Sequence, residues 1–374
     1  MRILHLAYED PRQPGSGGGS VRTREINRRL AARHRITAVV SAYPGAQRRV
    51  EDGIEWVPIG TRTGTKIDRI AYFARVWREV LIREADLVVE DFGAPFSVAL
   101  SPLFTRHPVV ASVQWLFGRE MRARYGIPFD LVEDVGLRCY RDFIAVSSWM
   151  AEALHKRRPD AAIEVIPNGV EPEAFAAPRL PARHLAFVGR LDMPSKGLDL
   201  LVEIMVRLRR RLGDETPRLL VLGDGPDRER LSTLIRAAGL ERHVELLGRV
   251  EGSEKYSLMA SAHAVLMPSR FESFGIVAIE AQAAGVPLVA FEVGPLREIT
   301  GGAGALLIPA FDVAAYADAV ATVIAQRDVR GQLGEAGRAW ARRYDWDEIA
   351  LRQEVHYERV RTQAELRRAV GAVR

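Results

Sequence analysis

Glu272 and Glu280 stand eight residues apart in the stretch Glu272-Ser-Phe-Gly-Ile-Val-Ala-Ile-Glu280, and two carboxylates so spaced can do chemistry. An apolar strand, His263-Ala-Val-Leu-Met-Pro268, and a loop, Ser269-Arg-Phe271, precede them. The pattern Val277, Ile279, Ala281, Ala284 reads as a short helix that stops at Gly285, and Val286-Pro287 opens the next strand. Glu272 therefore belongs to the loop before the helix, and Glu280 projects from about its second turn. Between them lie the backbone N–H groups of Phe274, Gly275 and Ile276, which a helix start leaves without internal partners. An anion site flanked by two hydroxyl-binding carboxylates is what a nucleotide sugar needs: diphosphate at the helix dipole, ribose on one acid, sugar on the other. The spacing alone also fits an ordinary helix with one N-terminal and one exposed glutamate.

Three more loops carry usable groups. Pro14-Gly-Ser-Gly-Gly-Gly-Ser20 follows the first strand, and glycines there let a backbone come close to phosphate oxygens. It is a poor dinucleotide fingerprint, because no acid ends the second strand at Ala38–Ala42, and it is not a P-loop, because no Gly-Lys-Ser/Thr follows. In Gly189-Arg190-Leu-Asp-Met-Pro-Ser-Lys196-Gly197 two cations six apart can face a leaving diphosphate and stabilise it without a metal. Leu222-Gly-Asp-Gly-Pro226 and Leu247-Gly-Arg-Val250 are glycine turns after strands. The plain alternatives are a flexible surface loop for the first and charged or ordinary turns for the others.

The elements that must position these groups read as alternating strands and helices, which argues for α/β with parallel sheets. Strand-like runs occur at 3–7, 36–40, 87–90, 109–113, 143–146 and 163–166, then at 185–188, 219–222, 244–246, 264–267, 288–291 and 305–308. The Pro-rich stretch from Pro167 to Pro181 separates the two sets and reads as a linker. A length of 374 residues suits two domains, and 48% apolar with 27% charged residues is the balance of a soluble globular protein. No uncharged apolar run reaches the roughly 18 residues a bilayer span needs, and the first residues lack a signal-peptide pattern, so a cytoplasmic protein is expected. One cysteine, Cys139, rules out an intramolecular disulfide and a cysteine-based zinc cluster. Residues 1–83 carry sixteen Lys/Arg against eight Asp/Glu, a basic face that can rest on anionic lipid or attract an anionic acceptor. No aromatic-interleaved basic motif points to nucleic acid. Lys occurs only four times, so Arg is the default cation of this chain.

Taken in order, Gly17–Gly19, Arg190 with Lys196, and the E-x7-E pair resemble the retaining GT-B glycosyltransferases of family 4, over about residues 1–360. That resemblance implies a GT-B fold, with two Rossmann-like doubly wound domains facing a central cleft. Residues 1–172 would hold the acceptor and 173–345 the donor, and a last helix within 346–374 would return to the first domain. It implies catalytic roles for Glu272, Arg190 and Lys196, with Glu272 on the sugar hydroxyls. Donor contacts would come from Gly17, Gly18, Gly19, Phe274, Gly275, Ile276, Glu280, Gly223, Arg249 and Val250, with Glu280 on the ribose. Many members carry a His after the strand 109–113; this chain has Gln114 there, followed by Trp115, and Gln cannot take a proton at neutral pH. Glu90 and Asp91 end the preceding strand, where each can bind an acceptor hydroxyl or cap the next helix. The implied reaction moves a sugar from a nucleotide diphosphate donor to a hydroxyl of a glycolipid, polysaccharide or small molecule. Attack is on the front face, and neither metal nor cofactor is required. An epimerase of the same architecture and a non-catalytic nucleotide-sugar-binding protein are the alternatives. A peripheral position on the inner face of the membrane follows from a lipid-linked acceptor.

Overall fold

The computed structural model describes residues 1–93, 99–116, 118, 119, 122, 126, 128–178 and 180–372. The chain forms two compact units, Met1–Asn168 with Trp346–Arg374, and Gly169–Asp345. The division thus falls inside the Pro-rich stretch read as a linker, and Pro172–Ala176 is a short helix of the second unit.

The first unit is built on strands β1 (Arg2–Tyr8), β2 (Arg35–Ser41), β3 (Arg49–Glu51), β4 (Ile54–Ile59), β5 (Leu87–Phe92), β6 (Val109–Val113), β7 (Asp142–Ala145) and β8 (Ala162–Val165). They lie in the order β3-β4-β2-β1-β5-β6-β7-β8, parallel except for the β3–β4 pair. The β3–β4 hairpin is absent from the strand pattern read above. Its signal is Asp52-Gly53, where both residues take positive φ (54° and 76°), the twist a tight hairpin turn requires. Alternation along β1 sends Ile3 and Ala7 to one core and Leu4 and Leu6 to the other. The first core also holds Trp346, Ile349, Tyr357 and Val360 of the long helix Trp346–Ala372. Each fully buried ring or branched chain there is worth about 1.5–3 kcal/mol. Arg22, buried in the same unit, ties the helix Gly18–Leu30 to that last helix. Its guanidinium donates to the Pro167 carbonyl at 2.6 Å, to Asn168 at 3.0 Å and to Gln353 at 2.5 Å.

Many arginines of the basic face read from composition are paired in this unit. Arg2, Arg12, Arg24, Arg28, Arg29, Arg33, Arg48, Arg49 and Arg83 all sit in ion pairs with Asp or Glu of the same unit. The helix Lys66–Ile82 has two apolar faces. Tyr72, Val76 and Val80 enter the core, while Ile67, Ile70, Trp77 and Leu81 are exposed at helical spacing. Trp77 stacks on Phe104 at 5.0 Å, beside exposed Leu103. Among the described residues no helix is long and apolar enough to cross a membrane.

The second unit has strands β9 (His184–Val188), β10 (Leu219–Leu222), β11 (Val244–Gly248), β12 (Ala262–Met267), β13 (Leu288–Phe291) and β14 (Ala305–Ile308), ordered β11-β10-β9-β12-β13-β14. All run parallel. The chain leaves β9 toward β10 on one side, and β12 lies on the other. The topological switch point therefore falls between β9 and β12, where an open α/β sheet offers its ligand crevice at the strand C-termini. The loop Gly189–Gly197 follows β9, and the loop Pro268–Gly275 follows β12.

His356 supplies a pH test. Burial first, then Arg359, pushes its imidazole down to about 4, and among the described residues its buried Nε2 has no partner. The folded state thus prefers the neutral ring. Its stabilising contribution is complete above the unfolded value near 6.5 and is lost as pH falls toward 4, on the order of 2–3 kcal/mol. Melting temperatures measured from pH 7 to 4 should fall more steeply for the wild type than for His356→Gln; parallel curves would refute the assignment.

Candidate functional site

The loop after β9 is stitched to two neighbours. Gly189 N–H donates to the Leu222 carbonyl (3.0 Å), Leu191 N–H to Asp224 O (3.0 Å), and Met193 N–H to the Asp227 carboxylate (2.7 Å). Gly223 approaches this loop so closely that a Cβ would sit 1.8 Å from the Gly189 carbonyl oxygen. On the other side Arg270 N–H donates to Ser195 O at 2.9 Å, and the Arg270 guanidinium forms two 2.7 Å bonds to Asp199. Gly197, at φ +61°, closes the turn, and a Cβ there would lie 2.1 Å from the Pro268 carbonyl oxygen. These contacts bring Lys196 to Glu272: its Nζ donates to Oε1 at 2.5 Å. Ser269 Oγ donates to the same oxygen at 2.7 Å. Lys196 is thus a paired cation, with two N–H bonds left to offer. Among the described residues Arg190 is exposed and makes no ion pair.

Gly275, at φ +91°, is the N-cap of the helix Ile276–Ala283. Ala278 N–H is taken by the Gly275 carbonyl at 2.9 Å, so the donors that face outward are those preceding it. Phe274 is buried edge-on to Tyr344 at 6.0 Å, which leaves only its backbone for a ligand. Glu280 is 7% exposed, as is Glu272, so neither is the exposed surface acid that the plain alternative called for. Glu280 Oε1 accepts from Lys255 Nζ at 2.8 Å and from the Tyr256 hydroxyl at 3.1 Å. That hydroxyl also lies 2.9 Å from Glu171 Oε2. Burial first, then Glu280 and Glu171, raises the Tyr256 phenol far above its ordinary value, so it stays protonated as a donor.

The two glutamates are thus built alike. Each has one ammonium and one hydroxyl on Oε1, which fixes the carboxylate and leaves Oε2 able to accept from a ligand hydroxyl. Between them a helix begins, and among the described residues the N–H groups of Phe274, Gly275 and Ile276 have no partner, which favours an anion.

The other residues named from the sequence fall as follows. Gly223 follows β10 and packs on the loop after β9, where a Cβ would meet the Gly189 carbonyl. Arg249 pairs with Glu251 at 2.6 Å on the exposed edge after β11, next to half-buried Val250. Gly17, Gly18 and Gly19 belong to the first unit, where Gly17 N–H donates to Glu9 at 3.2 Å and Gly18 opens a helix. Glu90 does not offer its carboxylate to an acceptor. It is 1% exposed and accepts from Ser101 Oγ (2.6 Å), Ser101 N–H (3.3 Å) and Ala99 N–H (2.5 Å), so it caps the turn that follows. Burial raises its carboxyl above the ordinary range. Asp91 is partly exposed at the end of β5, held by Thr23 Oγ1 (2.9 Å) and His5 Nε2 (3.2 Å). Gln114 lies near Gly19, with its amide nitrogen buried and unpartnered among the described residues, and Trp115 follows half-buried. Lys255, Tyr256, Ser269 and Glu171 were missed. The available signal was the rarity of lysine, since two of the four lysines hold the two glutamates. Among the described residues no group of three or more His, Cys, Asp or Glu is arranged to hold a metal ion.

A profile described as "Glycosyl transferases group 1" matches residues 174–340, and one described as "Glycosyltransferase Family 4" matches 16–174. The chain is 37% identical over 232 residues to a phosphatidyl-myo-inositol mannosyltransferase of Mycobacterium leprae, a match spanning 59% of this chain and 59% of that protein. It is 35% identical over 212 residues to a D-inositol 3-phosphate glycosyltransferase of Corynebacterium urealyticum, covering 52% and 50% of the two chains. The chain therefore spans about three fifths or less of the length of these curated relatives. In fold it is similar to the sucrose-phosphate synthase of Thermosynechococcus elongatus, at TM-score 0.79 and 20% identity over 96% of this chain and 98% of that one. An Anabaena protein, HepE, solved with UDP and glucose, gives TM-score 0.73 and 20% identity over 95% and 98%.

The close approach at Gly197 is testable. Gly197→Ala adds both left-handed strain, about 1–2 kcal/mol, and a collision with the Pro268 carbonyl. Gly252→Ala, at φ +59° with open space around it, should show only the strain. Urea unfolding should place Gly197→Ala at least about 2 kcal/mol below Gly252→Ala; equal losses would remove the close approach as a constraint.

Proposed function

We propose, for a chain that belongs to glycosyltransferase family 4 and has the GT-B fold, that it transfers a hexose with retention from a nucleotide diphosphate donor to a hydroxyl of an inositol-like polyol carried on lipid. One observation carries the donor half: two carboxylates, each gripped on Oε1 by a lysine and a hydroxyl, stand on either side of a helix N-terminus. In this reading the diphosphate lies on the N–H groups of Gly275 and Ile276, with Arg190 and Lys196 supplying the positive charge that the leaving group needs. Glu280 Oε2 accepts from the ribose and Glu272 Oε2 from the sugar. With no carboxylate assigned as nucleophile, the acceptor oxygen attacks the face that the phosphate leaves, and a departing phosphate oxygen takes the acceptor's proton. Gly17, Gly18 and Gly19 are assigned to the diphosphate, and Asp91 and Gln114 to acceptor hydroxyls.

The acceptor class rests on two supports. The curated relatives named above act on phosphatidyl-myo-inositol or on inositol 3-phosphate. Independently, Ile67, Ile70, Trp77 and Leu81 form an exposed apolar stripe flanked by exposed Arg78, a pattern that suits an interface with anionic lipid. Since most other arginines of this unit are paired, the stripe rather than the net charge is assigned the lipid contact.

Calorimetry with GDP and UDP tests the donor half. Glu280→Ala should weaken binding of the preferred nucleotide about 10- to 100-fold, the loss of a charged hydrogen bond of about 1.5–3 kcal/mol. Glu272→Ala should keep nucleotide affinity and lower turnover, and activity should persist in excess EDTA. Unchanged affinity in Glu280→Ala would sink the ribose assignment. For the lipid half, co-sedimentation with phosphatidylglycerol vesicles at low salt should exceed that with phosphatidylcholine. It should fall in Ile70→Asp/Leu81→Asp while nucleotide binding stays. Equal sedimentation with both lipids would leave the stripe without a membrane role.

A further inference from the structure

The mechanism above uses Glu280 but not the group that shares its oxygen. Tyr256 lies in the helix Gly252–Ala260 and is fully buried, with its hydroxyl 3.1 Å from Glu280 Oε1 and 2.9 Å from Glu171 Oε2. A phenol has one proton, so it can serve only one of these two carboxylates at a time. Lys255 stands on the Glu280 side, at 2.8 Å from Oε1 and 4.3 Å above the Tyr256 ring. The ring therefore sits between a cation that stacks on it and two acids that compete for its hydroxyl. All four residues belong to the second unit, and Glu171 precedes the helix Pro172–Ala176.

We infer that Tyr256 is the positioning residue of the ribose subsite: its phenol, which lies between Glu171 and Glu280, holds Glu280 by Oε1 so that Oε2 meets the ribose hydroxyls. This rests on the donor reading given above. Glu280 Oε1 has Lys255 Nζ at 2.8 Å and the Tyr256 hydroxyl at 3.1 Å, the two groups that orient this carboxylate among the described residues. Without the phenol proton, Glu280 is steered by Lys255 alone, whose flexible stem and point charge define no single direction. Tyr256→Phe keeps the ring and the stacked ammonium and removes only the hydrogen bond, so packing is preserved.

The test compares ribo- and 2′-deoxyribonucleotides. Calorimetry with GDP, UDP, dGDP and dUDP should show the wild type preferring the ribose form of its nucleotide by at least about ten-fold. In Tyr256→Phe that preference should collapse to under about three-fold, mainly through weaker binding of the ribose form, while affinity for the deoxy form changes little. Glu171→Gln, which leaves the phenol to Glu280, should retain the preference. A wild type that ignores the 2′-hydroxyl would overturn the ribose assignment and this inference together. Wild-type preference kept in full by Tyr256→Phe would overturn this inference alone.

Discussion

Two carboxylates held almost out of water set the terms for the second unit. A buried charge without partners is strongly destabilising, so Glu272 and Glu280 can exist at 7% exposure only if cations and donors reach them. Neither glutamate finds its partners within its own segment except for Ser269. Lys196 comes from the loop after β9, and Lys255 and Tyr256 from the helix before β12. The fold must bring these stretches within hydrogen-bond distance, and the switch point between β9 and β12 is where a parallel sheet does so.

Convergence on that scale is a backbone problem before it is a side-chain one. At Gly197 and Gly223 the chain passes so near a neighbouring carbonyl that no Cβ could be accommodated. The Arg270–Asp199 pair and the bonds from Arg270 and Phe271 to the Ser195 carbonyl hold the two loops in register. The lysine–glutamate contact is then the outcome of fixed loops rather than of two flexible side chains finding each other. That distinction matters energetically, because a pre-positioned pair loses less conformational entropy than an exposed one.

The first unit solves a different problem with buried polar groups. Arg22 replaces a carboxylate partner by carbonyl and amide oxygens from two distant segments, and burial lowers its pKa to about 10. Asp91 is held by Thr23 and His5, and Asn27 stands behind His5 at 2.8 Å. These groups order the C-terminal ends of β1 and β5, the switch point of that sheet, and they keep the helix Gly18–Leu30 and the last helix on one core.

Periodicity and motif spacing determined the alternation of elements, all strands but β3 and β4, and the placement of Glu272 and Glu280 about one helix start, because each of these is local. A strand shows its two-residue alternation and a helix its glycine stop within a dozen residues. The β3–β4 hairpin escaped because β3 is only three residues long and β4 carries Pro58, which breaks a strand pattern, so only Asp52-Gly53 marks them. Tertiary structure alone decided which charges are neutralised. Nine arginines that look like a basic face are tied to acids, one of them, Glu354, more than 300 positions away. It also decided that Glu90 caps a turn while Asp91 stays accessible, a difference of one residue that alternation of strand faces makes absolute. Above all it brought Lys255, Tyr256 and Glu171 to Glu280, since a hydrogen bond depends on distances of about 3 Å in space and not on separation along the chain.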